Sequence, residues 1–342
     1  MVDSSARSKF IEDELRQVKT KVSTLQDAEL VSCVPQQVRI DVQRTKSKRM
    51  SICMQFPSEY PDQLIIVELK SRTLPQRFLD ATLKAVDANK EQFLRARQQA
   101  VAVARFICEY LDSNPLCVCA EEISDLRKEA NVDADKGEFL KIKQKQSLVH
   151  LRAQEGAYFV EAKMTMDAQY PETYASTSVE TNMPAVFQRF LTAQAKEVAR
   201  RCVQPPLLRR KKGEKPVPVA NFEPRPSLLP VGKFILQTAR RYPTELCAIC
   251  RVVCFPPDPS ALTEDMEGDD FVERVYCGHI FHHRCIDKYM KTPPFKGGKK
   301  CPQCADIIFH DKWRASDQIR EERWAHEQAK QRELDEVEDF LS

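Results

Sequence analysis

The stretch that decides the C-terminal fold reads Cys247-Ala-Ile-Cys250, then Cys277-Gly-His279-Ile-Phe-His282-His-Arg-Cys285, then Cys301-Pro-Gln-Cys304. It contains eight cysteine and histidine side chains in the order C-x2-C, C-x-H-x2-H-x2-C and C-x2-C. Zinc takes four such ligands in a closed tetrahedron, and two cysteines separated by two residues grip the ion from a tight turn. Eight ligands predict two closed sites with no position left for a catalytic water. We therefore expect two structural zinc ions, and a function that depends on the surface they hold in place.

This spacing resembles that of a RING finger with histidine at both central ligand positions, over residues 241–310. The resemblance extends to apolar positions beside the ligands, which are Ile249, Phe281, Ile286, Tyr289 and Pro302. In this family the two sites interleave in a cross-brace. The resemblance therefore implies a first zinc bound by Cys247, Cys250, His282 and Cys285. It implies a second zinc bound by Cys277, His279, Cys301 and Cys304.

Two other zinc modules fit the string less well. A PHD finger has a single histidine, as its fifth ligand, and usually an aromatic residue two before the seventh, where this chain has Lys299. A FYVE-type lipid-binding finger would have a basic cluster beside its second knuckle, which residues 251–254 lack. His283 and Cys254 are spare ligand types that break the spacing. We expect an exposed imidazole and a small buried thiol at these two positions.

The composition limits the classes of protein to which this chain can belong. The 342 residues predict two to three domains, and the 42% hydrophobic content suffices for their cores. A net charge of only +3 gives no field typical of a nucleic-acid-binding protein. No apolar stretch is long enough for a membrane span, and residues 1–10 lack a signal-peptide core. The seven cysteines outside the predicted sites form no disulfide-like framework, so we expect reduced thiols and a cytoplasmic or nuclear protein without nucleic-acid or membrane partners.

An internal repeat at about 110 residues precedes the finger. In both copies an alternating strand leads to a Tyr-Pro pair and an acidic residue, at Tyr60-Pro61 and Tyr170-Pro171. Another strand follows, and then a helix that begins near Pro75 or Pro184, where proline needs no amide partner. Period-two alternation predicts strands over 38–42, 50–56 and 158–166, among others. Each copy also opens with a helix, over 10–25 with Phe10 facing inward, and over 119–130.

This order of elements resembles the RWD domain, a relative of the ubiquitin-conjugating fold without its catalytic cysteine. The family's turn continues to a second proline, whereas Leu64 and Tyr174 stand there in this chain. A pair of unrelated α+β domains that share a turn stays the alternative. Cys108 falls in an apolar helical run and is expected to pack as a small hydrophobe, so no catalytic residue is assigned in the chain.

The remaining segments are a linker and a tail. Residues 204–230 contain seven prolines and the basic run 209–212, which predicts an extended tether. The basic run is interpreted as solvated linker, with a nuclear-import signal as the alternative. Residues 311–342 predict a charged helix whose short apolar stripe, Leu334, Val337 and Leu341, packs on the protein's own domains, with docking on a partner as the alternative. The fold class is therefore α+β, with RWD-like domains at 1–115 and 116–205, a linker at 206–240, the RING finger at 241–310 and a C-terminal helix at 311–342.

The RING resemblance implies a ubiquitin-protein ligase that binds a ubiquitin-charged conjugating enzyme without a covalent intermediate of its own. By the same resemblance Ile249, Tyr289 and Pro302 form the apolar surface that binds this enzyme. Many active members carry Arg or Lys just after the eighth ligand, where this chain has Ala305, so Lys299 or Lys300 would have to supply the cation. RWD-like modules recruit proteins, and the domain order resembles the ligase subunit of the Fanconi anaemia complex. The alternative is a non-catalytic scaffold subunit of a larger assembly.

Overall fold

A computed structural model describes residues 4–96, 98–205 and 222–341. It contains two four-stranded sheets, each with helices before and after it, and a two-stranded sheet in the C-terminal part. The chain is therefore of mixed α and β class, compatible with the α+β prediction.

The first repeat spans residues 4–113. Helix α1 (Ser4–Lys21) precedes the strands β1 (Ala28–Val34), β2 (Gln37–Gln43), β3 (Arg49–Gln55) and β4 (Ile66–Lys70). Each strand pairs antiparallel with the next, in the order β1-β2-β3-β4. Helices α2 (Gln76–Ala88), α3 (Lys90–Leu94) and α4 (Gln99–Ser113) follow. The alternation that predicted β2 places Val38, Ile40 and Val42 in the core.

The second repeat spans residues 120–241 and has the same order of elements. Helix α5 (Ala120–Ala130) precedes β5 (Phe139–Lys143), β6 (Leu148–Glu155), β7 (Tyr158–Thr165) and β8 (Ser176–Thr181), again in sequential sheet order. Helices α6 (Ala185–Val203) and α7 (Leu228–Arg241) follow. The strand predictions over 38–42, 50–56 and 158–166 and both proline-initiated helices are confirmed. The RWD family itself stays a resemblance.

The two Tyr-Pro turns occupy equivalent places. Both peptide bonds are cis, and each tyrosine hydroxyl donates a hydrogen bond to a glutamate of the helix that opens its repeat. Tyr60 donates to Glu14 at 2.9 Å, and the same carboxylate accepts from the Ala100 amide at 3.0 Å, at the start of α4. A carboxylate beside the unpaired amides of a helix N-terminus stabilises that helix. The turn, α1 and α4 are thus joined through one buried carboxylate.

The second repeat repeats this arrangement with α5 and α7. Tyr170 donates to Glu122 at 2.6 Å, and the Leu229 amide donates to the same side chain at 3.0 Å. The Tyr170 hydroxyl also accepts from the amides of Ser227 and Leu228, at 2.9 and 3.0 Å. Helix α7 is therefore the counterpart of α4.

The prediction of a linker is wrong where helix α7 lies. Residues 228–241 lie mostly within the predicted linker at 206–240, and the first three also within the predicted tether at 204–230, yet they form a helix that packs on α5. A Cβ at Gly232 would lie 2.5 Å from Leu126 Cδ1, so any larger residue there would force this buried leucine side chain to shift. Pro230 sits in the first turn of α7, where a missing amide costs nothing. The basic run 209–212 lies outside the described residues.

The prediction that Phe10 of α1 faces inward is also wrong. Phe10 is 52% exposed, whereas its neighbour Ile11 is buried. The buried positions of this helix are Ile11, Glu14, Leu15, Val18 and Val22, which follow helical spacing. The predicted inward positions Leu15, Val18 and Val22 are thus confirmed, while Ile11 and the buried Glu14, rather than Phe10, complete that face.

The C-terminal part contains β9 (Val272–Arg274) paired antiparallel with β10 (Ile280–His282), then α8 (His283–Lys291) and α9 (Asp317–Leu341). Contacts divide the chain into two units. One comprises Met1–Arg152, Glu161–Glu180 and Arg189–Leu236, and the other Ala153–Val160, Thr181–Gln188 and Gln237–Ser342. This division differs from the predicted boundaries, since the tip of the β6–β7 hairpin groups with the finger. In the part of the chain that is described, no helix combines the length and apolarity that crossing a bilayer requires.

Candidate metal centre

The first group of potential metal ligands lies between the first knuckle, residues 247–250, and the start of α8. It consists of Cys247, Cys250, His282 and Cys285, whose ligand atoms all lie within 4.8 Å of one another. Residues 247 and 282 are 35 positions apart in sequence. The β9–β10 hairpin brings them together by delivering His282 at its C-terminal end, directly before α8.

The orientation of His282 suits a metal ligand. Its Nδ1 lies 3.3 Å from Cys250 Sγ and 4.0 Å from Cys285 Sγ, while its Nε2 lies 3.1 Å from the Val253 carbonyl oxygen. In a zinc tetrahedron the usual bond lengths place nitrogen and sulfur ligands about 3.5 Å apart. A carbonyl that accepts from the second ring nitrogen fixes the tautomer of a metal-bound histidine. The donor set and its spacing therefore fit zinc.

The second group consists of Cys277, His279, Cys301 and Cys304, again with all ligand atoms within 4.8 Å. His279 Nδ1 lies 3.4 Å from Cys277 Sγ and 3.6 Å from Cys301 Sγ. Burial lowers the pKa of His279, which favours the neutral imidazole that a metal requires. The two groups interleave along the chain, in the same division into fours that the family resemblance implies.

The two knuckles have the same backbone. The Arg251 amide donates to the Cys247 carbonyl and the Ala305 amide to the Cys301 carbonyl, both at 2.8 Å. Arg251 and Ala305 both have φ of 63°, in the left-handed region. Each knuckle is closed by an isolated antiparallel bridge, Leu246 to Val253 and Lys300 to Ile307. A matching turn in both copies shows that position 305 accepts a side chain as large as arginine without changing its backbone.

Both groups could hold a metal ion, and thiolate with imidazole is the donor chemistry of structural zinc. A zinc ion bound there would be fully coordinated by protein. It would supply no Lewis-acid position, and its chemical contribution would be to fix the knuckles. The two metal groups would therefore give the finger a rigid surface rather than a reactive centre.

A buried carboxylate lies on β9, at the centre of the finger. Glu273 Oε1 lies 3.2 Å from His283 Nδ1 and 2.6 Å from Lys312 Nζ, and its Oε2 lies 3.4 Å from His310 Nε2. Burial acts to raise the pKa of Glu273, but hydrogen bonds from His310 and Lys312 outweigh it and hold the pKa at about 2. His283, expected to be exposed, is thus buried against Glu273, because an imidazole pairs well with a buried carboxylate. Cys254 is buried, as expected.

Four aromatic rings join the finger to the β6–β7 hairpin tip. Phe255, after the first knuckle, lies 5.1 Å from the rings of both Tyr158 and Phe187, and Phe187 lies 5.1 Å from Tyr242. All four side chains are nearly inaccessible to solvent. The Tyr158 hydroxyl also donates to the Pro256 carbonyl at 2.7 Å. The finger therefore shares its core with residues that precede it by about ninety positions, which spacing motifs do not reveal.

The residues predicted to bind a conjugating enzyme differ in exposure. Ile249 is 36% exposed and Pro302 is exposed. Tyr289 is half-buried, and its hydroxyl donates to the Lys300 carbonyl at 2.8 Å. Lys299 Nζ lies 4.5 Å from the centre of the Tyr289 ring. Since Lys299 is only 3% exposed, it cannot reach a partner as the cation missing at Ala305, whereas Lys300 is exposed.

The C-terminal segment does not pack as expected. Trp313 Nε1 donates to Asp287 on α8 at 2.9 Å, which ties the start of the segment to the finger. Beyond it, residues 325–335 of α9 are exposed at every position, and Leu334 is 49% exposed. The prediction that the stripe of Leu334, Val337 and Leu341 packs on the protein's own domains is therefore wrong at Leu334, and the other two side chains lie outside the described residues.

Comparison with known proteins gives one informative similarity. No protein-family model matches the chain. Over 74 residues the chain is 34% identical to the Probable E3 ubiquitin-protein ligase RHA1A of Arabidopsis thaliana. The matched stretch covers 20% of this chain and 45% of that protein. The chain thus spans less than half the length of this relative.

Proposed function

We propose that this protein is a RING-type ubiquitin-protein ligase, which binds a ubiquitin-charged conjugating enzyme through the finger. The observation that carries the proposal is the pair of interleaved four-ligand groups, each able to hold a metal ion. The partial similarity to a probable E3 ubiquitin-protein ligase supports ligase function in general, and with it a conjugating enzyme as partner.

The ligase would contribute to the reaction by positioning the reacting groups. Zinc, when bound, supplies rigidity to the two knuckles. Ile249 and Pro302, one on each knuckle, and Tyr289 on α8 would form the apolar surface that binds the conjugating enzyme. Holding the thioester and an acceptor lysine together in a restricted geometry accelerates transfer without a covalent intermediate on the ligase. Cys108 offers no nucleophile for this reaction, since it is buried and burial raises the pKa of its thiol.

The repeats would recruit the substrate or another partner protein, as the RWD resemblance implies. The duplicated element order and the paired Tyr60 and Tyr170 turns support two modules of one kind. We place this activity in the cytosol or nucleus. All thirteen cysteines lie within the described residues and none is in a disulfide, which fits a reducing compartment.

The test is ubiquitin discharge from a panel of charged conjugating enzymes, with the zinc-loaded full chain. Ile249→Ala should slow discharge with each enzyme that the wild type stimulates, because truncating a central apolar contact typically costs about 1 kcal/mol or more of binding. Val252→Ala is the matched control, since Val252 lies in the same knuckle at 58% exposure but outside the predicted surface. Equal loss in both variants would contradict the assigned surface.

A non-catalytic scaffold is the second candidate, and two observations favour it. Position 305 carries a methyl group where many active members of the family have a cation, and Lys299 is buried. In a scaffold, wild type would stimulate discharge with no conjugating enzyme, while zinc binding and partner recruitment by the repeats would persist. The same enzyme panel therefore separates the two candidates.

A further inference from the structure

Each of the three elements that carry the proposed enzyme-binding surface also carries an exposed cation. These cations are Arg251 directly after the first knuckle, Lys288 on α8 and Lys300 directly before the second knuckle. Each lies within two residues of the apolar contact residue of its own element. Among the residues that the structure describes, none of the three takes part in an ion pair or a side-chain hydrogen bond. The apolar surface is therefore bordered by cations that have no partner of their own.

The elements that carry these cations contact one another. Cys250 Sγ on the first knuckle lies 3.3 Å from Nδ1 of His282, which directly precedes α8. The Tyr289 hydroxyl of α8 donates to the Lys300 carbonyl at 2.8 Å, at the second knuckle. The buried Lys299 packs against the same tyrosine ring, 4.5 Å from its centre. The three exposed cations therefore belong to one part of the finger rather than to separate surfaces.

The segment that connects Tyr289 to the second knuckle is basic throughout. Residues 288–300 contain five lysines and no acidic residue. Lys291 pairs with Asp287 at 2.7 Å, and Lys299 is buried. The other three lysines are exposed and have no ion pair within the described ranges, and they are Lys288, Lys296 and Lys300. Like charges that cluster without counterions repel one another, so an approaching carboxylate gains from all of them.

The acidic residues of the finger are placed differently. Residues 264–273 contain six acidic residues and no basic residue. Two of these carboxylates pair within the finger, Glu273 with Lys312 at 2.6 Å and Asp270 with Arg284 at 3.6 Å. The knuckles and their closing bridges, 246–253 and 300–307, contain a single acidic residue, Asp306. The cations around the proposed surface thus outnumber the carboxylates there.

We propose that the finger selects conjugating enzymes whose own contact surface has an acidic rim, and that Arg251, Lys288 and Lys300 make this selection. The inference rests on the proposed function and names the class of enzyme within it. Interfaces of this kind have an apolar centre and a polar rim. Opposite charges in the rim steer the encounter, and like charges exclude a wrong partner. Enzymes with a basic rim would therefore be disfavoured.

The apolar centre favours a protein over nucleic acid as the partner of these cations. Ile249 is 36% exposed and Pro302 is exposed, and both lie within two residues of a cation. A phosphate backbone binds through charge and gains nothing from exposed aliphatic side chains. The centre and the rim together match the surface of an acidic protein.

The experiment measures dissociation constants of the zinc-loaded full chain for a panel of conjugating enzymes, sorted by the charge around their ligase-binding surface. At low ionic strength, enzymes with an acidic rim should bind about tenfold or more tightly than those with a basic rim. This preference should shrink at about 1 M salt, where the Debye length falls to about 3 Å. The salt dependence of the wild type tests the inference without any substitution.

Charge reversal assigns the preference to individual residues. A chain with Arg251→Glu, Lys288→Glu and Lys300→Glu should bind acidic-rimmed enzymes about tenfold or more weakly and basic-rimmed enzymes more tightly. Its zinc content should match that of the wild type, because no metal ligand changes. The matched control reverses three exposed cations of α9 that also lack an ion pair, Arg323, Lys330 and Arg332. The control should leave the dissociation constants unchanged.

The outcomes separate this inference from the proposed function. A wild type that prefers basic-rimmed enzymes, or binds all enzymes equally at every salt concentration, overturns the inference and leaves the ligase function in place. Equal loss in the surface variant and the α9 control overturns the assignment to these three residues. Tighter binding of a DNA duplex than of any enzyme, lost on charge reversal, would assign the cations to nucleic acid and overturn the inference. Binding to no enzyme of the panel overturns both proposals.

Discussion

The rings of Phe187 and Phe255 lie 5.1 Å apart in an edge-to-face arrangement. Phe187 belongs to the first turn of α6, and Phe255 follows the first metal-binding knuckle. Both are buried, so the core of the finger includes residues from the second repeat. Metal binding at the first group and order at the β6–β7 hairpin tip should therefore depend on each other.

The first prediction concerns this shared core. Phe255→Ala should lower the free energy of unfolding of the finger by about 3–5 kcal/mol, since it removes a buried ring and leaves a cavity. Denaturant unfolding followed by metal release measures the change. Phe309→Ala removes an identical ring that is 65% exposed, so it should change stability by about 0.5 kcal/mol or less. Equal effects would show that the aromatic cluster does not support the finger.

The second prediction concerns the metal. The purified chain should contain two zinc ions, measured by elemental analysis, because the ligands form two closed groups of four. Chelation should unfold the finger, since binding free energy is folding free energy at such sites. Hydrogen exchange should then also accelerate at residues 153–160, which share the aromatic core. A stoichiometry of one, or an unchanged hairpin tip after chelation, would contradict the two-site core.

The third prediction compares the two Tyr-Pro turns. Tyr170→Phe should lower the free energy of unfolding by roughly 2 kcal/mol or more, because Glu122 loses one of its two donors and the buried amides of Ser227 and Leu228 lose their acceptor. Tyr60→Phe should cost about 1 kcal/mol, since Tyr60 makes a single hydrogen bond there, to Glu14. Thermal unfolding of both variants measures which substitution lowers stability more. A larger loss of stability for Tyr60→Phe than for Tyr170→Phe would contradict this prediction.

The fourth prediction is a pH dependence. Burial raises the pKa of Glu14 above its ordinary 4.5, and its hydrogen bonds only partly offset this. The unfolded chain therefore ionises first as the pH rises through 4.5, and the stability that Glu14 contributes declines until its folded pKa is passed. Glu14→Gln removes that decline, so the variant should gain stability relative to wild type across this window. Unfolding at several pH values measures the difference, with Glu12→Gln at an exposed site of the same helix as the matched control.

The fifth prediction concerns position 305. Ala305→Arg should speed ubiquitin discharge if a missing cation limits activity, and Arg251 at the same φ of 63° shows that the turn accommodates arginine. Ala305→Gly is the control, since it relaxes the left-handed backbone without adding charge. Faster discharge in the glycine variant as well would mean that backbone freedom, rather than the cation, limits the wild type.

Much of this architecture follows from local sequence. Ligand spacing predicted two closed sites, because cysteines separated by two residues share a knuckle, and the RING resemblance implied which four ligands belong to each. Period-two alternation predicted strands such as β2, and Pro75 and Pro184 marked two helix starts. These signals succeed because each depends on residues within one turn or one strand.

What only the tertiary structure decided involves partners far apart in sequence. The role of α7 rests on Glu122 and Tyr170, more than fifty residues upstream, so the prolines before it suggested a linker instead. His283 is buried because Glu273 lies beside it, and Lys299 because it packs beneath Tyr289. The aromatic core likewise joins residues 158 and 187 to 255. Burial of a polar or aromatic side chain depends on which residues the folded chain places next to it, and the local sequence does not predict those neighbours.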